Sequence, residues 1–276
     1  MARTNALNIF AGKNGEQAVK DQLAETYGQV IEAIQKSAIS EQIKNKNYSG
    51  DPATGSVEID RFKNAAVQDY GTARTAGNGV ALDNTGKVTV NVDTDKEIVE
   101  ELENKDVELY GIAGMAEKRK VNHEKRMVAY LDREFFTKAE AEGSAVTPTG
   151  SSVQEKLEEL IQSVETTVND WVDGVDRDML VITVTPAVYG QLLNYIDSVP
   201  NSLTGLTENM FHNVRIYSNH RQTKSMICMI DGAVAQPVVA DEYDAERIPL
   251  SNAIALELFF SKGTKAVMPD LIKYVA

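Results

Sequence analysis

The stretch LYGIAGMAEKRKVNHEKRMVAYLDREFFTKAEAE, from Leu109 to Glu142, predicts one long helix, because it lacks proline and repeats apolar residues at helical spacing. At ~1.5 Å of rise per residue, this helix would be roughly 50 Å long. Its two apolar stripes comprise Leu109, Ile112, Ala113 and Ala116, then Met127, Val128, Leu131 and Phe135. We expect both ends to pack against the chain, the charged middle to face solvent or a charged partner, and Gly143 to end the helix.

The chain before this helix reads as an arm followed by a linker. Residues 1–14 show no clear period and predict a flexible arm, whereas residues 15–35 repeat apolar side chains at helical spacing. Residues 41–55, EQIKNKNYSGDPATG, are polar and rich in turn formers. We therefore interpret this third stretch as a linker.

A long β-hairpin is predicted from Ser56 to Val92, because valine and isoleucine alternate with polar residues on both arms. Its tip, GTARTAGNGVALDNTG from Gly71 to Gly86, is rich in glycine, asparagine and threonine. The hairpin has too few apolar residues for a core of its own. It should therefore be either mobile or laid on another molecule. Residues 97–106 form an acidic lead into the long helix.

The half of the chain after Gly143 mixes helices and strands, which predicts an α+β fold. A capping box, Ser152-x-x-Glu155, should open a helix whose apolar face continues to Val168 and Trp171. Thr185-Pro186 should open another, with Val188, Leu192, Leu193 and Ile196 on its apolar face. Strands are predicted at 180–184, 214–217, 226–230, 233–239, 253–260, 265–268 and 272–275, with a tight hairpin turn at Asp231-Gly232.

Composition limits the possible classes of protein. The 276 residues are 42% hydrophobic, enough for a sizeable core, and carry a net charge of −13, which argues against tight sequence-specific DNA binding. No apolar run spans a membrane and no signal peptide opens the chain, so we expect synthesis inside a cell. The single cysteine, Cys228, should be a buried small hydrophobe.

The histidines do not form a recognisable catalytic or metal motif. His123-Glu124 would begin an HExxH zinc motif, but the second histidine is replaced by Met127, so we expect His123 on a solvated helix face. His212 and His220 flank a strand without a cysteine cluster nearby. The glycine-rich segment 71–86 lacks the strand and helix of a phosphate-binding loop. We therefore predict that the protein is not an enzyme, that it needs no cofactor, and that none of its residues is catalytic, cofactor-binding or metal-binding.

Two charged segments have a functional and a simpler interpretation. The segment DEYDAER, with Asp241, Glu242, Asp244 and Glu246, offers oxygen ligands for a cation but lacks EF-hand spacing. We favour a solvated acidic loop. The middle of the long helix offers phosphate contacts, yet it also carries acids and no aromatic residues, so we favour a solvated face. Its basic residues are Lys118, Arg119, Lys120, Lys125 and Arg126.

The order of these elements resembles the major capsid protein of tailed bacteriophages, a fold shared with herpesvirus capsids and encapsulin shells. By this resemblance, residues 1–50 are the N-arm and 51–95 the extended β-hairpin, or E-loop. Residues 96–180 are the peripheral (P) domain with its spine helix at 109–142. Residues 181–250 are the axial (A) domain, and 251–276 are return strands to the P-domain. The stretches MLVITVTPAVYGQLLNYI, FHNVRIYSNH, MICMIDGAVAQPVV and IALELFFSKGTKAVMPDLIKYV carry the second half of the likeness.

The resemblance implies a structural subunit that self-assembles through hexamers and pentamers into an icosahedral shell around double-stranded DNA. The hairpin and the arm would pack on neighbouring copies. The arm and the spine helix, which are close to neutral while the acidic excess lies elsewhere, would face the DNA and contact it weakly and non-specifically. The protein would assemble in the host cytoplasm and reside in the virion. Its partners would include a portal, and it would not bind a membrane.

Two features depart from the wider family. Many relatives begin with a long scaffolding segment that is removed, whereas this sequence opens with a short arm, so we expect a separate scaffolding protein. One relative joins its E-loop to a neighbour through a lysine–asparagine bond; Lys63 lies in the hairpin here, but no local motif transfers that chemistry. Two alternatives stay open: an encapsulin-like cellular shell, and, more remotely, an α+β enzyme or ligand-binding protein.

Overall fold

The computed structural model describes residues 29–30, 32–34, 37–65, 67, 69–70, 86–198, 206–207, 210–248 and 253–276. Helices and strands are interspersed in it, which confirms the α+β class. Contacts divide the chain into two compact units. The first comprises residues 1–42, 92–132 and 238–263, and the second comprises 43–91, 133–237 and 264–276. The domain ranges expected from the family resemblance stay a prediction.

The helices and strands have the following bounds within the described residues. The helices are α1 (Ile39–Ile43), α2 (Asn104–Glu142), α3 (Val153–Glu165) and α4 (Pro186–Ser198). The strands are β1 (Ser56–Ile59), β2 (Val88–Asn91), β3 (Thr94–Glu103), β4 (Ser144–Ala145), β5 (Leu180–Val184), β6 (Leu206–Thr207), β7 (Met210–Phe211), β8 (Val214–Ser218), β9 (Met226–Ile230), β10 (Val234–Ala235), β11 (Val238–Arg247), β12 (Ala253–Lys262), β13 (Lys265–Ala266) and β14 (Ile272–Val275).

The first unit is built on a three-stranded antiparallel sheet in the order β11-β12-β3. Strand β3 corrects the sequence analysis, which interpreted residues 97–106 only as an acidic lead into the long helix. All ten of its residues pair with β12. Ile98, Glu100 and Leu102 lie on its less exposed face, and the residues between them are exposed. Alternation therefore specifies the strand, although most of its side chains are charged.

Helix α2 begins at Asn104, five residues before the predicted start, and ends at Glu142 as predicted. Gly111 interrupts it with φ 72° and ψ 164°, a conformation that glycine adopts without a Cβ clash, so the predicted single helix is broken there. In the first unit, Met127, Val128 and Leu131 are buried as expected. In the second unit, Phe135 is buried as expected. The side chains of residues 104–110 and 112–113 lie outside the described set, so most of the first apolar stripe is untested.

Gly143 follows the helix as predicted, but for a different physical reason. Its φ angle is not positive, so it does not form the left-handed cap that often ends a helix. A Cβ at this position would lie 2.7 Å from both the carbonyl oxygen of Ala139 and Cγ2 of Ile272. The glycine therefore allows the end of α2 and strand β14 to approach closely.

The predicted linker at residues 41–55 is wrong. Helix α1 occupies part of it, and both Ile43 and Asn45 are buried. The backbone N–H of Asn45 donates to the carbonyl of Val234 at 2.8 Å, and its side-chain amide donates to the carbonyl of Gly232 at 3.0 Å. These bonds hold the segment within the second unit. Of the predicted 15–35 helix, residues 29–30 and 32–34 are helical, and the earlier part lies outside the described residues.

The second unit contains a mixed seven-stranded sheet in the order β4-β14-β9-β5-β8-β7-β6. Its middle strand β5 is buried along its whole length, as the apolar run predicts. The Asp231-Gly232 turn is present, but the predicted hairpin pairing across it is wrong. Strand β9 already pairs with β5 and β14, so β10 pairs with β13 instead. The predicted 233–239 strand is accordingly divided between β10 and β11.

Helix α3 starts with the predicted capping box between Ser152 and Glu155, but it ends at Glu165 instead of continuing to Trp171. Asn169 accounts for the turn that follows, because its side-chain oxygen accepts hydrogen bonds from the N–H groups of Trp171 and Val172. Val168, expected on the buried face, is 69% exposed. In α4, which starts at Pro186 as predicted, Leu192 is buried but Leu193 is partly exposed.

The predicted hairpin is confirmed at its base, where β1 and β2 form an antiparallel ladder from Ser56–Asn91 to Ile59–Val88. The expectation that the hairpin is either mobile or laid on another molecule is wrong for this part. Val57, Ile59 and Val90 are buried with Ala235 and Val267 of the same unit. Residues 71–85, the predicted tip, lie outside the described part of the chain. The base is therefore anchored to the second unit.

Candidate functional site

His123 is buried instead of lying on a solvated helix face. Its Nε2 atom lies 3.1 Å from Oε2 of Glu100, and Nε of Arg119, one helical turn earlier, donates to the same oxygen at 2.6 Å. Hydrogen bonding from Arg119, together with His123, lowers the pKa of Glu100 below its ordinary value. Sequence reasoning missed this cluster because it did not place Glu100 on the inner face of a strand.

The other two histidines lie in different surroundings. His212 stacks on Phe211 at 4.2 Å between ring centroids, and its Nδ1 lies 3.1 Å from Glu158. Arg177 donates to both Glu158 and Glu165, so these groups form an ion-pair network on α3. His220 is exposed on a turn after β8. Within the described residues, no three histidine, cysteine, aspartate or glutamate side chains are grouped to hold a metal.

The structure locates the two charged segments and the cysteine. DEYDAER lies in strand β11, so the predicted acidic loop is wrong; its side chains are outside the described set. On α2, Lys118, Lys125 and Arg126 are exposed, whereas Lys120 contacts Glu117 at 3.2 Å. Cys228 is buried as predicted, and burial raises its pKa well above the ordinary thiol range. No helix of the described part has the length and apolar content to cross a membrane.

A polar and aromatic cluster lies where the hairpin leaves the β1–β2 ladder. Nη2 of Arg61, two residues beyond β1, donates to Oδ2 of Asp270 at 2.6 Å. The side-chain amide of Asn169 donates to the same oxygen at 2.7 Å. The Arg61 guanidinium also lies 5.2 Å from the centre of the Trp171 ring, within cation–π range. Burial alone would raise the pKa of Asp270, but the bonds from Arg61 and Asn169 hold it below its ordinary value.

Lys63 continues this cluster along the outgoing arm of the hairpin. Its ammonium lies 5.5 Å from the centre of the Trp171 ring and 3.7 Å from a carboxylate oxygen of Asp170. The backbone N–H of Asn64 donates to the carbonyl of Asp170 at 2.8 Å. Five residues define what we call the hairpin-base cluster: Arg61, Lys63, Asp170, Trp171 and Asp270.

The returning arm reaches the same tryptophan. A Cβ at Gly86 would lie 2.4 Å from Cζ3 of Trp171 and 2.5 Å from the carbonyl oxygen of Arg61. Only a residue without a side chain permits this approach. Trp171 therefore contacts both arms of the hairpin just beyond the end of the ladder, where Lys87 also pairs with Glu58 at 2.5 Å.

Apolar side chains are exposed on the outgoing arm beyond its anchored base. Phe62 is 45% exposed, Val67 is 102% exposed and Tyr70 is 92% exposed. The three lie within nine positions, each next to a polar residue. The hairpin therefore combines a fixed base with three exposed large side chains on its outgoing arm.

The sequence singled out Lys63 but none of its partners in the hairpin-base cluster. Trp171 was assigned to the apolar face of a helix that in fact ends six residues earlier. The available signal was the segment Asn169-Asp170-Trp171, because asparagine followed by aspartate favours a turn over a helix interior. Asp270 carried no sequence signal that would connect it to the hairpin.

Comparison with known proteins gives no matching family model and no matching curated protein. Solved structures do match. The capsid structure of the cyanophage P-SCSP1u matches with a TM-score of 0.63 at 10% identity, over 87% of this chain and 88% of that one. A structure from Mycobacterium phage Che8 gives 0.60 at 17% identity, over 80% and 84%. The virus-like particle from Pyrococcus furiosus gives 0.57 at 12% identity, over 93% and 98%.

These matches cover most of each chain, so they concern the whole architecture and not one shared motif. The chain has the fold of phage capsid proteins, which confirms the fold predicted from the order of its elements. The same fold occurs in the archaeal virus-like particle. At these identities the likeness is one of fold.

Proposed function

We propose that this protein is a structural subunit that self-assembles into the icosahedral capsid of a tailed double-stranded DNA bacteriophage. The observation that carries the proposal is the hairpin, whose base is anchored in the second unit while Phe62, Val67 and Tyr70 beyond it are exposed. Exposed large side chains on an arm whose base is anchored fit a surface on another molecule. In a chain with a capsid fold, that molecule is a second copy.

The energy and symmetry of such a contact suit a shell. Burying a large apolar side chain stabilises an interface by about 1.5–3 kcal/mol, so three of them supply a substantial part of a subunit contact. A hairpin placed on a different surface of the next copy makes a heterologous contact. Heterologous contacts close into rings when the rotation allows it, and rings of six and five copies are what an icosahedral shell requires.

The remaining partners belong to the same proposal. A separate scaffolding protein would direct assembly, a portal would occupy one vertex, and packaged DNA would meet the inner surface through weak, salt-sensitive contacts. The net charge of −13 supports weak DNA contact, since strong non-specific binders carry a basic surface. The place of action would be the virion, with assembly in the host cytoplasm.

We further propose that the chain is not an enzyme. Glu100, Glu158 and Asp270 are the carboxylates with a lowered pKa in ion-pair clusters of the described residues, and each accepts hydrogen bonds from an arginine. A general acid or base needs the opposite arrangement, with a pKa near the working pH and an accessible proton. These clusters are suited to stabilising the fold.

A cellular nanocompartment of the encapsulin type is the second candidate. The observation behind it is that a particle described as virus-like, from Pyrococcus furiosus, matches over 93% of this chain and 98% of that one. Both candidates assemble shells, so assembly alone does not separate them. The contents of particles purified from the native source do: nuclease-protected DNA of uniform length supports the virus, and a protein cargo supports the compartment.

The experiment that tests the proposal is expression of the full chain, alone and with a co-expressed scaffolding candidate, followed by sedimentation and electron microscopy. We expect closed particles of uniform diameter. A chain that stays monomeric in every assembly condition, including raised concentration and crowding, would contradict the proposal.

A further inference from the structure

We propose that the hairpin-base cluster positions the hairpin for assembly and that Trp171 is its central positioning residue. The inference rests on the proposed function and adds to it the residues that would control the direction of the assembly contact. Trp171 is the only tryptophan of the chain. It lies outside any helix or strand, in the turn after α3, where the backbone N–H of Asn169 donates to the carbonyl of Val172 at 2.8 Å.

The position of the cluster along the hairpin supports this role. The β1–β2 ladder ends at the Ile59–Val88 pair. Beyond that pair no ladder bond between the described residues holds the two arms. Gly86 instead lies close to both the Arg61 carbonyl and the Trp171 ring, and the backbone N–H of Asn64 donates to the carbonyl of Asp170. In the proposal, these contacts around Trp171 control how the hairpin leaves the sheet.

Hydrogen bonds through Asn169 connect the backbone of Trp171 to Asp270. The side-chain oxygen of Asn169 accepts from the backbone N–H of Trp171 at 2.8 Å, and its side-chain amide donates to Asp270 at 2.7 Å. Asp270 in turn accepts from Arg61 at 2.6 Å. One closed circuit thus joins the turn, the carboxylate and the outgoing arm, so a displacement of any member displaces the arm.

The cation–π contacts of Trp171 are strong enough to shift a conformational equilibrium of the hairpin but too weak to determine folding. A cation over an exposed aromatic ring contributes about 0.5–1 kcal/mol, and both Arg61 and Lys63 lie over Trp171. This is too little to determine whether the subunit folds. It is enough to change which hairpin direction is populated, since about 1.4 kcal/mol is a tenfold change in an equilibrium.

Trp171→Leu tests the proposal, because leucine keeps apolar bulk but removes the ring face. We expect a folded subunit whose critical concentration for assembly rises about fivefold to thirtyfold, from the loss of two cation–π contacts. The particles should also have a broader range of diameters. Trp171→Phe, which restores a ring, should recover part of the effect. Val168→Ala, at an exposed site on the same segment, is the control and should assemble as the unchanged protein does.

If the leucine variant does not fold, a variant that removes only a charge next to the ring still tests the proposal. Lys63→Met removes one cation from the ring and keeps most of the side-chain volume; Lys46→Met, at an exposed lysine of the same unit, is its matched control. Acrylamide quenching of the single tryptophan then reports on the cluster directly, without requiring assembly. We expect Lys63→Met to increase quenching, because it removes a side chain that lies over the ring, and Lys46→Met to leave it unchanged.

The results separate the positioning role from the proposed function. If the unchanged protein assembles and both Trp171→Leu and Lys63→Met assemble at the same concentration into particles of the same diameter, the positioning role is wrong and the proposed function stands. If the unchanged protein never assembles, the proposed function is wrong. Quenching then still decides the first point, because unaltered quenching in Lys63→Met would show that the hairpin does not depend on the tryptophan.

A hairpin deletion shows whether the cluster acts through the hairpin. Because the chain that lacks residues 71–85 should form no closed particles, Trp171→Leu in that background is followed by denaturant unfolding. We expect the two shortened chains to unfold with the same free energy, within about 0.5 kcal/mol. A larger loss of stability would assign Trp171 a general structural role and overturn the proposal.

Discussion

Arg61 and Asp270, 209 positions apart in the sequence, meet at 2.6 Å between Nη2 and Oδ2 at the base of the hairpin. The carboxylate belongs to the short turn Pro269–Leu271 that precedes the last strand. The guanidinium belongs to the arm that leaves the ladder. This ion pair is one of the non-covalent contacts that join the C-terminal part of the second unit to the hairpin. Titration of its carboxylate should therefore affect the base of the hairpin.

Acidification should release the hairpin base through Asp270. Its pKa is lower in the folded protein than the ordinary 3.8. A lowered pKa means that the pair stabilises the fold above the unfolded value and that this stabilisation is lost as the pH falls through the folded value. Quenching of Trp171 should therefore rise below pH 3.8. Asp270→Asn should show raised quenching already at neutral pH, with little further change on acidification; a variant that follows the pH curve of the unchanged protein would contradict the assignment.

Glu100→Gln should destabilise the first unit. The carboxylate accepts from Arg119 and lies 3.1 Å from buried His123, and an uncharged amide would leave the guanidinium without its charge-assisted partner. We expect the free energy of unfolding to fall by about 1–3 kcal/mol. Denaturant unfolding followed by circular dichroism measures it.

Glu101→Gln is the matched control for this variant, because Glu101 is exposed on the opposite face of the same strand. We expect its effect to stay within about 0.5 kcal/mol. Equal effects of the two substitutions would contradict the prediction, because they would mean that the ion pair of Glu100 with Arg119 does not stabilise the fold.

Gly143→Ala should destabilise the second unit, whereas Gly190→Ala should not. The new methyl group at position 143 would lie 2.7 Å from the Ala139 carbonyl and from Cγ2 of Ile272, which costs about 1–3 kcal/mol of overpacking. Gly190 lies within α4 and has no atom within 4 Å of such a methyl group. Alanine there should stabilise by about 0.5–1 kcal/mol. Thermal melts of both variants check the opposite signs.

Much of the fold could be predicted where one physical signal dominates. The buried run Leu180–Val184 gives a central strand, the Ser152–Glu155 capping box gives the start of α3, and alternating valines give the hairpin base. In each case local pattern and final environment agree. The order of such elements was sufficient to identify the capsid fold.

The errors occurred where a distant partner determines the environment. Glu100 reads as one more acid in an acidic segment until Arg119 and His123 of α2 pack against it. Asn45 reads as a linker residue until its amide reaches the carbonyl of Gly232. The Asp231-Gly232 turn follows β9 as expected, but the two edges of β9 are occupied by partners that local sequence does not specify. Tertiary pairing overrides local preference at these positions.

The hairpin-base cluster was the part of the candidate site least accessible to sequence reasoning. Arg61, Trp171 and Asp270 come from three separate segments, and only the folded chain brings them together. Lys63 was noticed because it lies in the hairpin. Its role follows from the ring and the carboxylate beside it and not from a motif.

The most direct test of the assembly function compares the full chain with a chain that lacks residues 71–85, by sedimentation velocity and electron microscopy under the same assembly conditions. The deletion stops at 85 because Gly86 lies against Trp171. We predict that both chains fold and melt cooperatively, and that only the full chain forms closed particles. Closed particles of unchanged diameter from the deleted chain, or an insoluble deleted chain, would contradict the role assigned to the hairpin.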